Sequence, residues 1–318
     1  MGSYIIKRIL QMLAVIILVS VFIFLLMSFL PGDPVYALRG DLISPEEYHQ
    51  TYLQLGLDKP IIVRYFTWLF AAFHGDFGTS VQFHEPISQL LSERIPVTIY
   101  LALISFVISA LTGVIFGVIT AVFRGKKIDT VITLLANITV CMPQFWIGIL
   151  VMYIFSLKLG WLPSFGFTWP WVNLGKSIQQ SIMPIFCLAL GGIASTTRQT
   201  RSSMLEVIQQ DYVRTARSKG MKEKRVILIH VLRNGLLPVI TLTGLRLSFV
   251  LGGSMFIESV FSIPGMGSLL VKSIMARDIP VVQACVLITA ALTCVINLLT
   301  DILYAAVDPR IRFERGEA

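Results

Sequence analysis

Charge is scarce in this sequence. Asp, Glu, Lys and Arg make up only 14% of its 318 residues, against roughly 25% in a soluble domain. That shortage excludes an ordinary water-soluble globule. Cysteine is nearly absent: Cys141, Cys187, Cys285 and Cys294 all lie in apolar stretches, and none has C-x-x-C spacing. They read as small apolar side chains, not as metal ligands. Histidine is equally sparse. His49, His74, His84 and His230 all fall outside the long apolar runs, so a Ser–His pair for proteolysis within a membrane is missing. A phosphate-cradling loop is missing too. Gly175-Lys176-Ser177 comes nearest, but Pro170 stands where the first glycine of G-x-x-x-x-G-K-[ST] belongs.

What is present is apolar. Hydrophobic residues make up 55% of the chain and the mean hydropathy is +0.77. They cluster in runs at residues 9–30, 97–123, 131–157, 182–197, 236–257 and 281–303. A helix needs about 20 such residues to cross the hydrocarbon core, and lipid forces each crossing segment to satisfy its own backbone. The fold class is therefore an all-α integral membrane protein with about six transmembrane helices. The fourth run is the weakest, being short and holding Pro184, Gly191 and Gly192. The first follows Lys7 and Arg8 as a signal peptide would, but it exceeds the about 7–15 residues of a signal core and reads as an uncleaved span.

Basic residues set the orientation. Lys7, Arg8, Arg124, Lys126, Lys127, the stretch 198–233, Arg310, Arg312 and Arg315 fall on one side. Both termini are then cytoplasmic. The implied organisation is a cytoplasmic N-terminus and first helix at 1–30, an external cap at 31–96, and a five-helix core at 97–318 with a cytoplasmic segment at 198–235. The net charge of +8 is explained by this topology, with no need for a nucleic-acid partner.

Two polar pieces carry information. The external segment mixes acids with Phe66, Trp68, Phe70, Phe73 and Phe77, which suggests a small folded cap. In the cytoplasmic segment, 203–210 and 211–219 read as two short helices, with Asp211 as N-cap and Gly220 just past the end. Residues 226–232 then lead helically into the fifth run. A short helix there either touches a partner or is a positive-inside loop without one. Within the runs, Pro143 is either a gate hinge or a structural kink. Gly113 and Gly117 form a G-x-x-x-G packing face. Arg246, near the middle of the fifth run, either lines a solute path or satisfies groups at a seam. Glu258 and Asp301 lie at run ends, and no Asp/Glu/His array for a proton relay exists.

The segment Asp211-Tyr212-Val213-Arg214-Thr215-Ala216-Arg217-Ser218-Lys219-Gly220 resembles the coupling motif of binding-protein-dependent ABC importer permeases, in the form used by the dipeptide/oligopeptide/nickel branch. The general motif reads E-A-A, three residues, then Gly. Here Arg214-Thr215-Ala216 take its first three places, and the later Leu-Pro is displaced to Leu237-Pro238. Further matches to the branch's first permease subunit are Pro31-Gly32-Asp33-Pro34, Leu55-Gly56-Leu57-Asp58-Lys59-Pro60, Gly75-Asp76-Phe77-Gly78 and Met142-Pro143-Gln144-Phe145-Trp146. They continue through Val260-Phe261-Ser262-Ile263-Pro264-Gly265-Met266-Gly267, Arg277-Asp278 and Asp308-Pro309-Arg310-Ile311-Arg312.

The resemblance implies a bacterial or archaeal inner-membrane permease. It would pair with a second permease, dock two ATPase subunits that carry ATP and Mg, and receive substrate from an extracytoplasmic binding protein. The implied coupling residues are Asp211, Tyr212, Arg214, Thr215, Ala216, Arg217, Lys219 and Gly220. Candidate path or gate residues are Pro143, Arg246, Glu258, Pro264, Gly265, Arg277 and Asp278. No catalytic residue and no metal ligand is expected in this chain. Di- and oligopeptides are the expected substrates, with nickel, a metal chelate or a glutathione-like peptide as alternatives. A stand-alone secondary transporter or channel is the rival of another class, and an inverted repeat, which would favour it, is not evident.

Overall fold

A computed structural model describes residues 2–29, 33, 35–36, 43–54, 56–244 and 246–307. Pro31, Gly32, Pro34, Leu55 and the terminal Asp308–Arg312 match lie outside the described residues, as does the side chain of Arg246. The described chain is almost entirely helical. It divides into two compact units, residues 1–98 with 264–318, and residues 99–263.

In the first unit, α1 (Gly2–Ser28) is a single helix, since nothing in the first apolar run breaks it. Two shorter helices follow, α2 (Pro45–Gln54) and α3 (Ile61–Phe73). Then α4 (Ile87–Val122) begins ten residues before its apolar run and carries Pro96 inside it, and its residues from Ile99 on belong to the second unit. Later come α11 (Met266–Met275) and α12 (Ile279–Val307). Arg8 on α1 pairs with Asp301 on α12 at 3.1 Å. None of the five aromatic residues singled out in the 31–96 segment is fully buried. Phe66, Phe70 and Phe73 are exposed, and Trp68 and Phe77 are half-buried.

In the second unit, the run 131–157 is broken. Helix α5 (Lys127–Cys141) meets α6 (Gln144–Met152), which continues as a π-helix over Tyr153–Lys158, at an angle of 105°. The cause is local. Pro143 disfavours helical backbone at the preceding residue, and Met142 is extended at φ −93°, ψ 134°. Helix α7 (Leu174–Ile208) is unbroken for 35 residues, through Pro184. The expected separate helix at 203–210 is therefore wrong: 203–208 is the end of α7. Arg198 and Arg201 stop the hydropathy, but they are good helix formers. At 1.5 Å per residue α7 is about 50 Å long, well beyond the roughly 30 Å hydrocarbon core.

Helix α8 (Asp211–Ser218) follows, then a turn at Glu223–Arg225 and a π-helix at Val226–Leu232. The fifth run carries α9 (Arg233–Gly244) and α10 (Arg246–Val260), which flank Leu245, a residue outside the described set. Among the described residues four helices are long and apolar enough to cross a membrane alone, and there are five if the bent α5–α6 pair is one span.

Helices α4 and α7 approach closely. A Cβ on Gly113 would lie 2.5 Å from Thr196 Cβ, and one on Gly117 2.4 Å from Thr200 Cβ. The G-x-x-x-G spacing is thus a packing face.

Candidate functional site

The coupling-like segment is an anchored, outward-facing helix. Val213 and Ala216 of α8, three residues apart, are buried in a cluster with Ala121, Met204, Val226 and Val231. The rest of the helix turns outward: Asp211, Tyr212, Arg214, Thr215, Arg217 and Lys219 are exposed. Ala216 therefore faces the chain's own core, and its small side chain permits that approach. The N-cap is Gln210, one residue earlier than expected, and it makes no side-chain cap bond. Asp211 is instead the first helical residue, where its negative charge suits the helix dipole. Gly220 has φ +73°, the left-handed conformation that ends helices at low cost only for glycine. No atom lies within 4 Å of a Cβ built there, so the constraint is conformational and not one of space.

The bases of this segment are not all available. Arg217 donates to Glu223 through Nε at 3.1 Å and Nη2 at 2.7 Å. The hydrogen bond from Arg217 lowers the Glu223 carboxyl below its usual range. Arg214 and Lys219 remain exposed. Tyr212 accepts from Asn234 Nδ2 at 3.2 Å, which ties α8 to α9.

A second ionic contact lies nearby on α7, and nothing in the sequence pattern marks it. Arg201 grips Asp129, at the start of α5, with Nε at 3.0 Å and Nη2 at 2.9 Å. Gly125 N–H donates to the same carboxylate at 3.0 Å. The pair is seventy-two positions apart, so no local spacing signals it. A cleft of about 320 Å³ beside it is lined by Thr133, Asn137, Thr197, Arg198 and Ser202 among others.

The candidate gate residues fall into distinct settings. Pro143 is the N-cap of α6, at the 105° bend. The Gln144 side chain lies against two glycines: Cβ atoms built on Gly191 and Gly253 would be 3.2 Å from its Nε2 and 3.1 Å from its Oε1. Glu258, near the end of α10, is fully buried. Pro264 is half-buried and Gly265 is the buried N-cap of α11. Arg277 is exposed with φ +55°. Its neighbour Asp278 is buried and accepts from Ser80 Oγ at 2.6 Å, Val81 N–H at 3.1 Å and Gln82 N–H at 3.0 Å. Asp278 thus staples the turn around 80–82 to the start of α12, while Arg277 takes no part in that contact.

Long apolar helices, a sharply bent helix pair and an anchored amphipathic helix are the elements of a membrane permease. Residues 113–313 match the family described as "Binding-protein-dependent transport system inner membrane component". Residues 1–102 match the corresponding N-terminal element. The chain belongs to this family and is an inner-membrane protein.

Three curated relatives span it nearly end to end. A putative peptide transport system permease protein of Brucella abortus is 45% identical, covering 99% of this chain and 100% of its own length. The oligopeptide transport system permease protein AppB of Bacillus subtilis is 42% identical, covering 98% and 100%. The glutathione transport system permease protein GsiC of Salmonella typhi is 39% identical, covering 99% and 100%. Among solved structures, the methionine ABC transporter MetNI matches with a TM-score of 0.58 at 18% identity, over 69% of this chain and 97% of its own. An amino acid ABC transporter matches at 0.55 and 15% identity, over 69% and 94%. These two show the fold alone.

Proposed function

We propose that this chain is one of two different permease subunits that together enclose the path for di- and oligopeptides in an ABC importer. Two separate ATPase subunits supply ATP and Mg chemistry, and an extracytoplasmic binding protein delivers the substrate. The observation that carries the reading is α8, held by Val213 and Ala216 with its polar face turned outward. A helix fixed on one side and open on the other suits a groove on an ATPase. The peptide-transport relatives at 42–45% identity favour peptides over nickel or a chelate.

In this reading α8 moves as a rigid body when ATP closes the ATPase pair. Such coupling needs stiff, packed elements. The Tyr212–Asn234 bond and the shared cluster pass that motion to α7 and α9, and the Arg201–Asp129 pair passes it on to α5 and the Pro143 bend. Arg214 and Lys219 meet acids on the ATPase, while Arg217 stays with Glu223. Helices α9 and α10 together supply the sixth crossing, and both termini are cytoplasmic. The turn around Gln82, stapled by Asp278, is the face offered to the binding protein.

The test is a gentle-detergent pull-down of the tagged chain from native membranes. Companions bearing phosphate-binding loops, together with a second multi-span chain, support the reading. The chain alone, under conditions that preserve known complexes, overturns it in favour of a stand-alone transporter. Gly220→Arg separates coupling from assembly: the chain stays in the membrane, but uptake no longer follows ATP hydrolysis.

A further inference from the structure

Helix α3 (Ile61–Phe73) lies within the external cap segment, yet its surface is wrong for water. Ile62, Phe66, Phe70 and Phe73 are 66%, 61%, 69% and 69% exposed. At 100° per residue they form one stripe, and Arg64 and Thr67 fall outside it. Arg64 is the only charged residue in the helix. Another side packs on α1: Tyr65 OH lies 2.8 Å from Ser20 Oγ, and the rings of Tyr65 and Trp68 lie 5.4 and 5.6 Å from Phe24.

That contact fixes the depth. The stretch of α1 long and apolar enough to span the membrane ends at Ser28. With 1.5 Å of rise per residue, Phe24 and Ser20 lie about 6 and about 12 Å inside that end. A helix seated on them is within the leaflet, not above it. Its thirteen residues span about 20 Å, too short to cross the core of about 30 Å.

We infer that α3 is an interfacial helix, lying along the leaflet with Ile62, Phe66, Phe70 and Phe73 in the acyl chains and Arg64 and Thr67 toward the headgroups. Lipid is the occupant because α3 packs on a helix long and apolar enough to span a membrane, whose own Leu18 and Phe22 are 69% and 63% exposed. The stripe offers no charge or hydrogen-bonding group to a protein partner. The end of the helix suits this position. His74, Gly75 and Asp76 N–H groups return to Ala71 and Ala72 carbonyls, leaving few backbone groups unsatisfied in lipid. Amphipathic helices of this kind sit about 5–10 Å into the headgroup–acyl boundary, which agrees with the Phe24–Ser20 depth.

The test uses the full chain, assembled with whatever partners co-purify, in vesicles of phosphatidylcholine and phosphatidylglycerol. Its four native cysteines are replaced, and a nitroxide is placed through Phe66→Cys, Phe70→Cys or, as control, Thr67→Cys. Relaxation by oxygen several-fold above that by a water-soluble nickel chelate at 66 and 70, reversed at 67, supports the proposal. High chelate accessibility at 66 and 70 returns α3 to the water-facing cap and overturns it. Low accessibility to both reagents assigns the stripe to a protein partner and also overturns it. Should the labelled chains misfold, Phe70→Cys and Glu85→Cys in native membranes give a second reading. A membrane-impermeant maleimide should modify position 70 at least tenfold more slowly than position 85, and equal rates overturn the proposal.

Discussion

Replacing Arg201 with Gln removes both nitrogens that grip Asp129 and leaves a carboxylate whose side chain is only 9% exposed. Breaking a fully buried pair costs about 3–5 kcal/mol, whereas an exposed pair contributes about 0–1. Here the arginine is 31% exposed, and Asp129 keeps the Gly125 N–H and the Thr133 hydroxyl, the latter at 3.3 Å. The expected cost therefore falls between these limits, about 2 kcal/mol, or roughly a 30-fold shift in an equilibrium constant. A double-mutant cycle isolates the pair. Arg201→Gln, Asp129→Asn and the double variant are compared by denaturation in detergent. The double variant should be less destabilised than the sum of the singles, with a coupling of about 1–2 kcal/mol, between the exposed and buried limits. In reconstituted complexes the single variants should hydrolyse ATP but transport less per ATP. A coupling below about 0.5 kcal/mol, the level of additive sites, would refute the view that this contact stiffens the link between α7 and α5.

Gly113→Ala and Gly117→Ala force a Cβ to within about 2.5 Å of Thr196 and Thr200. Each should cost about 1–3 kcal/mol from overpacking, read as a lower melting temperature. Gly220→Ala meets no neighbour and should cost only about 1 kcal/mol, the backbone penalty of a left-handed L-residue; a much larger loss would mean a steric role. The Tyr48 hydroxyl donates to Asp33 at 2.5 Å, a bond that lowers the Asp33 carboxyl below 3.8 and raises Tyr48 from 10.0 to about 12. Asp33 thus contributes above pH 3.8 and loses its contribution as pH falls through its lowered value. Tyr48 contributes below pH 10 and loses it as pH rises toward 12. Ultraviolet titration of the full chain against Tyr48→Phe should remove one late-titrating tyrosine, and an ordinary titration near 10 would contradict the contact. Asp278→Ala leaves Ser80 and two backbone amides without their acceptor, at a cost of about 1–3 kcal/mol. Protease should then cut the turn around Gln82 faster.

The sequence by itself determined the solvent, the helical class and the family. Too little charge and long apolar runs admit only helices in lipid, and these signals are local: each run can be read without knowing where any other lies. The short helix Asp211–Ser218 was legible for the same reason, since the Asp211–Gly220 pattern is contiguous and Gly220 marks its end. The tertiary structure decided what depends on distant residues or on continuity. Hydropathy stops at Arg198, but the helix does not, because the backbone follows propensity and only burial follows hydropathy. Asp129 and Arg201 meet across two helices. Ala216 and Arg217 are engaged by their own chain, which spacing could not reveal. The Pro143 kink was foreseeable, but its 105° angle was not, because a proline removes a bond and leaves the direction of the bend to packing. The apolar stripe of α3 reads as ordinary cap residues until its contact with Ser20 and Phe24 fixes its depth in the membrane.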